Sequence, residues 1–204
     1  VRPTMTESAY RKMIEAALRY IAAGDIYQVN LAQRFHAPAS ADCGAALFAA
    51  LRGAYPMPFA AYVDGGDWVV VSNSPECFIL ADGLAIATFP IKGTRQTAAG
   101  TPAPEAQDHN AFDLANDPKE RAEHLMIVDL ERNDLGRVCA TGTVTVREFS
   151  AVRSFPLLHH MVSRVEGRLE PGASLADLMR AMFPGGSVTG APKIRAMEII
   201  EELE

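Results

Sequence analysis

Residues 59–89 contain a series of short apolar segments of strand length, at 59–63, 68–72, 77–80 and 84–89. Tight turns interrupt the series at Asp64–Asp67 and at Asp82-Gly83. Asp-Gly and Gly-Gly turns between apolar segments of this length are typical of β-hairpins. We therefore predict an antiparallel sheet in this region.

Helical patterns interrupt the strands, and the clearest lies near the N-terminus. Apolar residues recur there at three- and four-residue spacing: Tyr10, Met13, Ile14, Ala17, Leu18 and Ile21. A capping box at Thr4–Glu7 would begin this helix, and Gly24 would end it. Further helices are predicted at 42–52, at 117–132, after Ser174 and after Ala191, and further strands at 26–35, 138–146 and 157–168. Because helices and strands do not alternate strictly, the order favours an α+β fold over a doubly wound parallel sheet.

Composition excludes several classes of protein. The 204 residues carry 19 Lys and Arg against 25 Asp and Glu, so a broad basic surface for nucleic acid is not expected. No apolar run approaches the ~20 residues that cross a bilayer, and Val1–Thr4 lacks the apolar stretch of a secretory signal. The three cysteines form no CxxC pair, which argues against a zinc site or a disulfide framework. We expect a cytoplasmic protein without nucleic-acid or membrane partners, with 96–105 as the only candidate linker.

Two residues near strand ends are candidates for acid–base or nucleophilic chemistry. Lys92 ends an apolar strand just before a glycine, and burial there would lower its pKa and leave some nucleophilic free amine. Glu76 follows the rigid turn Ser74-Pro75, and apolar neighbours could raise its pKa enough for a general acid. The alternatives are a surface lysine and a solvated edge carboxylate.

Glu120 and Glu123 form a candidate metal site. They are three residues apart on a predicted helix, so both carboxylates face the same way. A cation between them would relieve their repulsion, and carboxylate oxygens suit Mg²⁺. A solvated helix face beside Arg121 is the alternative. The polar cluster at the end of this helix is interpreted as structural: Asp129, Arg132, Asn133 and Asp134.

The glycine-rich turn at 184–190 could approach an anion, but it is not a Walker motif. Ala191-Pro192-Lys193 follows Gly190, whereas the nucleotide-binding signature needs Lys and then Ser or Thr. Small residues and a helix N-terminus still offer backbone N–H groups. His159 and His160 are adjacent in a predicted strand and should face opposite ways, so at most one reaches a site.

Several segments, in order along nearly the whole chain, closely resemble the chorismate-utilising enzymes. They are Ile26–Leu31, Ser74–Glu76, Pro90–Arg95, Glu123–Asp134 and Pro184–Lys193. This resemblance implies an antiparallel β-sandwich with helices packed outside. It also implies chorismate as the substrate and Mg²⁺ as the cofactor.

Two positions separate branches of the family in this resemblance. A glutamine at the position of Gln28 is typical of the ammonia-using branch, whereas the isochorismate and salicylate branch has a lysine that activates water. A lysine at the position of Lys92 is typical of amination at C4, toward p-aminobenzoate and folate, whereas the anthranilate-forming branch has alanine. The resemblance therefore implies amination of chorismate at C4 to 4-amino-4-deoxychorismate, through a covalent lysine intermediate. The ammonia would come from a glutamine amidotransferase subunit or domain.

The resemblance also assigns roles to individual residues. Glu76 would be the general acid for the departing C4 hydroxyl, and Lys92 the covalent nucleophile. Glu123 would bind Mg²⁺ that holds the ring carboxylate, with Glu120 in or near that shell. The substrate pocket would be lined by Gln28, Gly93, Thr94, His160 and Ser187.

The chain also departs from the family pattern. Family members continue beyond the helix matching 191–203 with more strands and a second acidic motif that completes the metal site. We therefore expect residues 1–204 to form an incomplete, C-terminally truncated chorismate-binding catalytic domain that has no synthase activity alone. The alternatives are an anthranilate-forming enzyme and a non-catalytic chorismate-binding domain.

Overall fold

The computed structural model describes residues 1–40, 42–97, 108–155 and 157–204. These residues divide into two compact units: a terminal unit of Val1–Ala39 with Phe183–Glu204, and a central unit of Ser40–Met182. Within the described ranges, no helix has both the length and the apolar character needed to cross a membrane. The predicted linker at 96–105 falls largely on residues 98–107, outside the described part of the chain.

The elements follow one another in a mixed order, as predicted. They are β1 (Arg2–Pro3), α1 (Glu7–Ala23), β2 (Gln28–Val29), β3 (Phe35–His36), α2 (Cys43–Ala54), β4 (Phe59–Asp64), β5 (Val69–Ser74), β6 (Leu80–Asp82), β7 (Ala85–Thr88), β8 (Ile91–Gln96), α3 (His109–Asn116), α4 (Pro118–Gly136), β9 (Thr145–Ser154), β10 (Leu158–Arg168), α5 (Leu175–Met182), β11 (Gly190–Ala191) and α6 (Lys193–Leu203).

The central unit is built on a five-stranded sheet in which β10 is the central strand. The strand order is β6-β7-β10-β8, and β9 also pairs with β10. The strands β4 and β5 form a separate hairpin beneath α2. Every strand pair among the described residues is antiparallel, which confirms the predicted α+β class with antiparallel pairing.

Helix α4 covers one face of this sheet, and apolar residues form part of its buried side. Val128 and Leu135 of α4 share a buried cluster with Ile86 of β7, Val165 of β10 and Leu178 of α5. Removing such side chains from water stabilises the fold by roughly 25 cal/mol per Å² of buried apolar surface. The packing therefore fixes α4 against the centre of the sheet.

The terminal unit joins α1 to α6 and a short strand pair. Helix α1 ends at Gly24 as predicted, but its N-cap is Thr6, whose side chain accepts the Ala9 N–H, and not the predicted box beginning at Thr4. The strands β2 and β11 pair Gln28 with Ala191. A small buried cluster of Ile26, Ala196 and Ile199 lies beside them.

Three strand predictions were wrong in extent. The segment 138–146 is mainly a turn, since the N–H groups of Val138 and Cys139 bond back to the Leu135 carbonyl, and β9 begins only at Thr145. The segment 26–35 forms β2 and β3 only, because these parts pair with β11 and β1 and the residues between them have no strand partner. The segment 77–80 contributes only Leu80 to β6.

Candidate active site

A bulge in β8 determines which face of the sheet each candidate residue occupies. Opposite β10, Ile91 pairs with Val162, Lys92 with Met161 and Thr94 with His160, so Gly93 is the extra residue. Gly93 has φ +78, a conformation that glycine adopts without strain. Because paired residues share a face, Lys92 lies on the Met161 face and Thr94 on the opposite one.

The Lys92 face is the one that α4 covers. Side chains alternate along β10, so Met161, Ser163 and Val165 share a face. Ser163 contacts His124 of α4, and Val165 packs in the cluster that contains Val128. The half-buried Lys92 therefore lies on the side of the sheet that α4 covers.

The first turn of α4 approaches Gly93 closely. A Cβ on Gly93 would lie 3.2 Å from Glu120 Oε2, and so the missing side chain makes room for this carboxylate. The helix begins at the N-cap Asp117, which accepts the N–H groups of Lys119 and Glu120. These backbone hydrogen bonds, with Arg95 at 2.9 Å, lower the pKa of Asp117.

The side chains of Glu120 and Glu123 are chemically suited to bind a magnesium ion. Both are half-buried, and both present carboxylate oxygens, the donors that Mg²⁺ prefers. Among the described residues, Glu123 forms an ion pair with the exposed Lys119 ammonium at 3.8 Å, a weak pair that a cation could displace. Within the described ranges, no three His, Cys, Asp or Glu side chains gather as a metal site, so the pair could supply only part of a coordination shell.

Glu76 lies beside the strands that lead to Lys92. The Ser74 hydroxyl accepts the Glu76 N–H at 3.1 Å, so the predicted turn is formed. The next residue, Cys77, accepts the Phe89 N–H at 3.2 Å, which aligns this segment with the connection between β7 and β8. Burial, and secondarily the Glu76 carboxylate, raise the pKa of the Cys77 thiol.

The two adjacent histidines of β10 point to different partners, as predicted. His160 Nδ1 lies 3.1 Å from Thr94 Oγ1, and its ring meets Phe155 edge-on at 5.3 Å. Burial lowers the pKa of His160 and favours its neutral form. His159 is enclosed between Asp108 and Ser154, with both contacts at 2.8 Å. Of the two histidines, His160 therefore contacts another candidate, Thr94, and both lie on the face of the sheet opposite Lys92.

Gln28 and Ser187 belong to the terminal unit and lie near each other there. Asn30, two residues after Gln28, donates from Nδ2 to the Ser187 carbonyl at 2.7 Å. Gln28 Oε1 is buried and has no hydrogen-bond partner among the described residues. A hydrogen bond spans the glycine-rich turn: the Lys193 ammonium donates to the Pro184 carbonyl at 2.7 Å.

Comparison with known proteins identifies the family. The model for chorismate binding enzymes matches residues 1–204. This chain belongs to the chorismate-binding enzyme family. A relative named aminodeoxychorismate synthase component 1, from Escherichia coli (strain K12), is 49% identical over 200 residues, covering 98% of this chain and 43% of the relative. Another, named anthranilate synthase component 1 1, from Haloarcula marismortui, is 46% identical over 199 residues, covering 98% of this chain and 40% of the relative.

The fold matches that of a solved family member. The crystal structure of anthranilate synthase component I from Streptococcus pneumoniae TIGR4 superposes with a TM-score of 0.87 at 36% identity, covering 100% of this chain and 44% of that one. The mixed α+β architecture of the chorismate-binding type is therefore confirmed. The chain spans less than half the length of these three relatives.

The structure adds one group of residues that sequence reasoning missed. His124, next to Glu123 in α4, is fully buried and lies 2.6 Å from Ser163 Oγ. Its position directly after Glu123 was the only signal available in the sequence. The cluster interpreted as structural does contain an exposed Asp129–Arg132 pair at 2.7 Å, whereas Asp134 is buried.

Proposed function

We propose that this chain carries the lysine-bearing part of an aminodeoxychorismate synthase component I. The reaction is amination of chorismate at C4, with ammonia delivered by a glutamine amidotransferase subunit or domain. One observation supports it above the others: the Gly93 bulge directs Lys92 toward the α4 side of the sheet, where Glu120 lies against Gly93. The Lys92 side chain and the Glu120 carboxylate thus lie on the same side of the sheet, next to Gly93.

The proposed chemistry uses this amine as a covalent nucleophile. Lys92 Nζ bonds to ring C2 while the C4–O bond breaks, and Glu76 gives its proton to the hydroxyl, which leaves as water. Ammonia then bonds to C4 as the C2–N bond breaks, returning the electron pair to Lys92. The new ammonium releases a proton, which restores Glu76. The net change is replacement of one hydroxyl by an amine.

Glu123 and Glu120 would hold the magnesium ion in this proposal. When bound, the ion supplies positive charge that neutralises a carboxylate of the dianionic substrate. The other proposed pocket residues of the central unit, Gly93, Thr94 and His160, are already linked, since His160 contacts both Thr94 and the Gly93 carbonyl. Thr94 and His160 lie on the face of the sheet opposite Lys92, so their part in a common substrate pocket stays a prediction.

Anthranilate synthase component I is the second candidate. The relatives and the solved structure with that name support it, at 46% and 36% identity. Lys92 favours the first candidate, because an amine at this position can occupy C2 and leave C4 to ammonia. Without it, ammonia would enter at C2 and pyruvate would be lost.

The product distinguishes the two candidates. The full-length polypeptide that contains these residues is incubated with chorismate, ammonium and Mg²⁺, and the product is identified by mass spectrometry. We expect 4-amino-4-deoxychorismate, and loss or redirection of amination in Lys92→Ala but not in the control Lys12→Ala, on the exposed face of α1. Parental product at the parental rate from Lys92→Ala would contradict the covalent role. Anthranilate and pyruvate from the unmodified enzyme would support the second candidate.

We further propose that residues 1–204 do not complete the reaction alone. Residues 1–204 are incubated with chorismate in the absence of ammonia and of any partner protein. Intact-mass spectrometry then tests for an adduct on Lys92 whose mass equals that of chorismate minus one water. Full turnover with ammonium by these residues alone would contradict the proposal. Magnesium-dependent chorismate binding without an adduct or turnover would instead favour a non-catalytic binding domain.

A further inference from the structure

A buried hydroxyl on β10 joins three elements of the central unit. Ser163 Oγ lies 2.6 Å from His124 Nε2 of α4 and accepts the Ser150 N–H of β9 at 2.9 Å. Neither Ser163 nor His124 has exposed surface. Ser150 has φ +55 and is the one non-glycine residue with a positive φ in the described part of the chain. The strand β9 therefore leaves regular geometry where it donates to this hydroxyl.

The surroundings of the His124 ring select its tautomer. Nδ1 is buried and has no hydrogen-bond partner among the residues the structure describes. A proton on Nδ1 would bury an unsatisfied donor, which is rarer in proteins than an under-used acceptor. With the proton on Nε2, the ring donates to Ser163 Oγ, and the hydroxyl accepts from both His124 and Ser150.

This contact is one of the buried contacts that set how α4 is rotated about its own axis, together with the apolar packing of Val128 and Leu135. Successive residues of an α-helix project about 100° apart, so fixing His124 toward β10 also fixes the direction of the neighbouring Glu123. Glu120, one turn earlier, follows the same rotation. The next polar contact of α4 with the sheet is Glu131 with Thr88, at 3.2 Å, toward the other end of the helix.

We propose that His124 and Ser163 are positioning residues for a divalent cation beside Gly93. Their hydrogen bond holds α4 at the rotation in which the Glu120 and Glu123 carboxylates reach the same ion. This inference rests on the proposed function only through the magnesium site. Supporting hydrogen bonds around metal ligands are commonly worth 10- to 100-fold in metal affinity.

Magnesium binding to this chain tests the inference without enzyme activity. The ¹⁵N-labelled chain is titrated with Mg²⁺ alone, and the backbone amides of Glu120 and Glu123 report the dissociation constant. We expect Ser163→Ala to weaken binding by about tenfold. His124→Gln keeps an N–H near the Nε2 position and should stay within about twofold of the unmodified chain, whereas His124→Asn reaches only toward Nδ1 and should lose about tenfold.

Thr88→Val is the matched control, because it removes a buried hydrogen bond between the sheet and the far part of the same helix. We expect it to leave magnesium affinity unchanged. If Ser163→Ala and Thr88→Val weaken magnesium binding equally, the effect comes from the packing of α4 on the sheet in general, and the inference is overturned. If Ser163→Ala loses the dispersed amide spectrum of a folded chain, the comparison of His124→Gln with His124→Asn decides the question.

The failure of the metal site itself is distinguishable. Glu123→Gln should abolish the magnesium response; a response that survives it, or no response at Glu120 and Glu123 in the unmodified chain, overturns the site and this inference together. A response lost in Glu123→Gln but unchanged in Ser163→Ala and His124→Asn overturns this inference alone. The imidazole ¹⁵N spectrum should show His124 protonated on Nε2, and protonation on Nδ1 would contradict the hydrogen-bond direction.

Discussion

The Glu120 carboxylate lies directly against the backbone of Gly93, with Oε2 3.2 Å from the position that a Cβ on Gly93 would take. Leu114 Cδ1 of α3 is only 2.9 Å from the same position. Two helices therefore close on β8 at a residue without a side chain. The arrangement requires glycine both for its φ of +78 and for this close approach.

Gly93→Ala should destabilise the chain by more than a backbone effect alone. For a residue with a side chain, the left-handed backbone conformation costs roughly 1–2 kcal/mol. The contacts with Leu114 and Glu120 add about 1–3 kcal/mol of overpacking. Urea unfolding of Gly93→Ala is compared with Gly142→Ala, since Gly142 has φ +80 but nothing within 4 Å of its Cβ position. Equal losses in both variants would show that α3 and α4 do not press on Gly93.

Gly190→Ala should separate the strands β2 and β11 of the terminal unit. An added Cβ would lie 2.2 Å from the Gln28 carbonyl oxygen, which belongs to the paired strand and cannot rotate away. We expect loss of hydrogen-exchange protection at the N–H groups of Tyr27 and Asn30, which bond to Ala191 and Thr189. Gly24→Ala, with a similar need for positive φ but no close neighbour, should keep that protection. Retained protection in Gly190→Ala would refute the predicted clash.

The sequence was sufficient to predict those elements in which the hydrophobic pattern and the local chemistry agreed. The strand predicted at 157–168 is β10 at Leu158–Arg168, and the helix predicted at 117–132 is α4, which begins at the predicted N-cap Asp117 and Pro118. Opposite directions for His159 and His160 follow from strand alternation alone. These features depend on residues close together in the chain.

Features that depend on distant partners could not be predicted in this way. Val138 and Cys139 are buried, as strand residues would be, yet they form the turn that ends α4. The pairing of Lys92 with Met161 depends on an extra residue at Gly93, which a glycine in the sequence permits but does not specify. The contact of Ser163 with His124 joins residues 39 positions apart, and neither residue type indicates a partner.

Asp108→Ala should be more destabilising than the loss of an ordinary helix cap. Asp108 caps α3 through Asn110 N–H and also contacts His159 Nε2 at 2.8 Å, where the two side chains are 0% and 1% exposed. Removing Asp108 would leave a buried polar group of His159 without this partner, which costs about 1–3 kcal/mol, and the lost cap adds about 1 kcal/mol.

Asp117→Ala provides the comparison for Asp108→Ala, because Asp117 caps α4 in the same way but pairs with a partly exposed Arg95. Its loss should cost about 1–2 kcal/mol from the cap and the surface ion pair together. Urea unfolding at pH 7 measures both variants. A smaller loss for Asp108→Ala than for Asp117→Ala would show that the enclosed His159 contact adds nothing to stability.

The stability of the chain should depend on the protonation of His124. Burial, assisted by the positive charge of Arg121, lowers the pKa of His124 from 6.5 to about 4. The unfolded chain therefore binds a proton at a higher pH than the folded chain does. The neutral form contributes fully above pH 6.5, and its contribution of at most roughly 3 kcal/mol is lost as the pH falls toward 4.

Comparison with His124→Gln isolates this effect, since the glutamine variant keeps the other titrating groups of the chain. The free energy of unfolding is measured in urea at pH 7 and pH 4.5 for both proteins. We expect the unmodified chain to lose about 2 kcal/mol more than the variant over this interval, because the variant lacks the His124 imidazole, which must be deprotonated to occupy its buried position. The same decrease in both proteins would mean that His124 has an ordinary pKa in the folded chain, and that its contact with Ser163 tolerates the imidazolium.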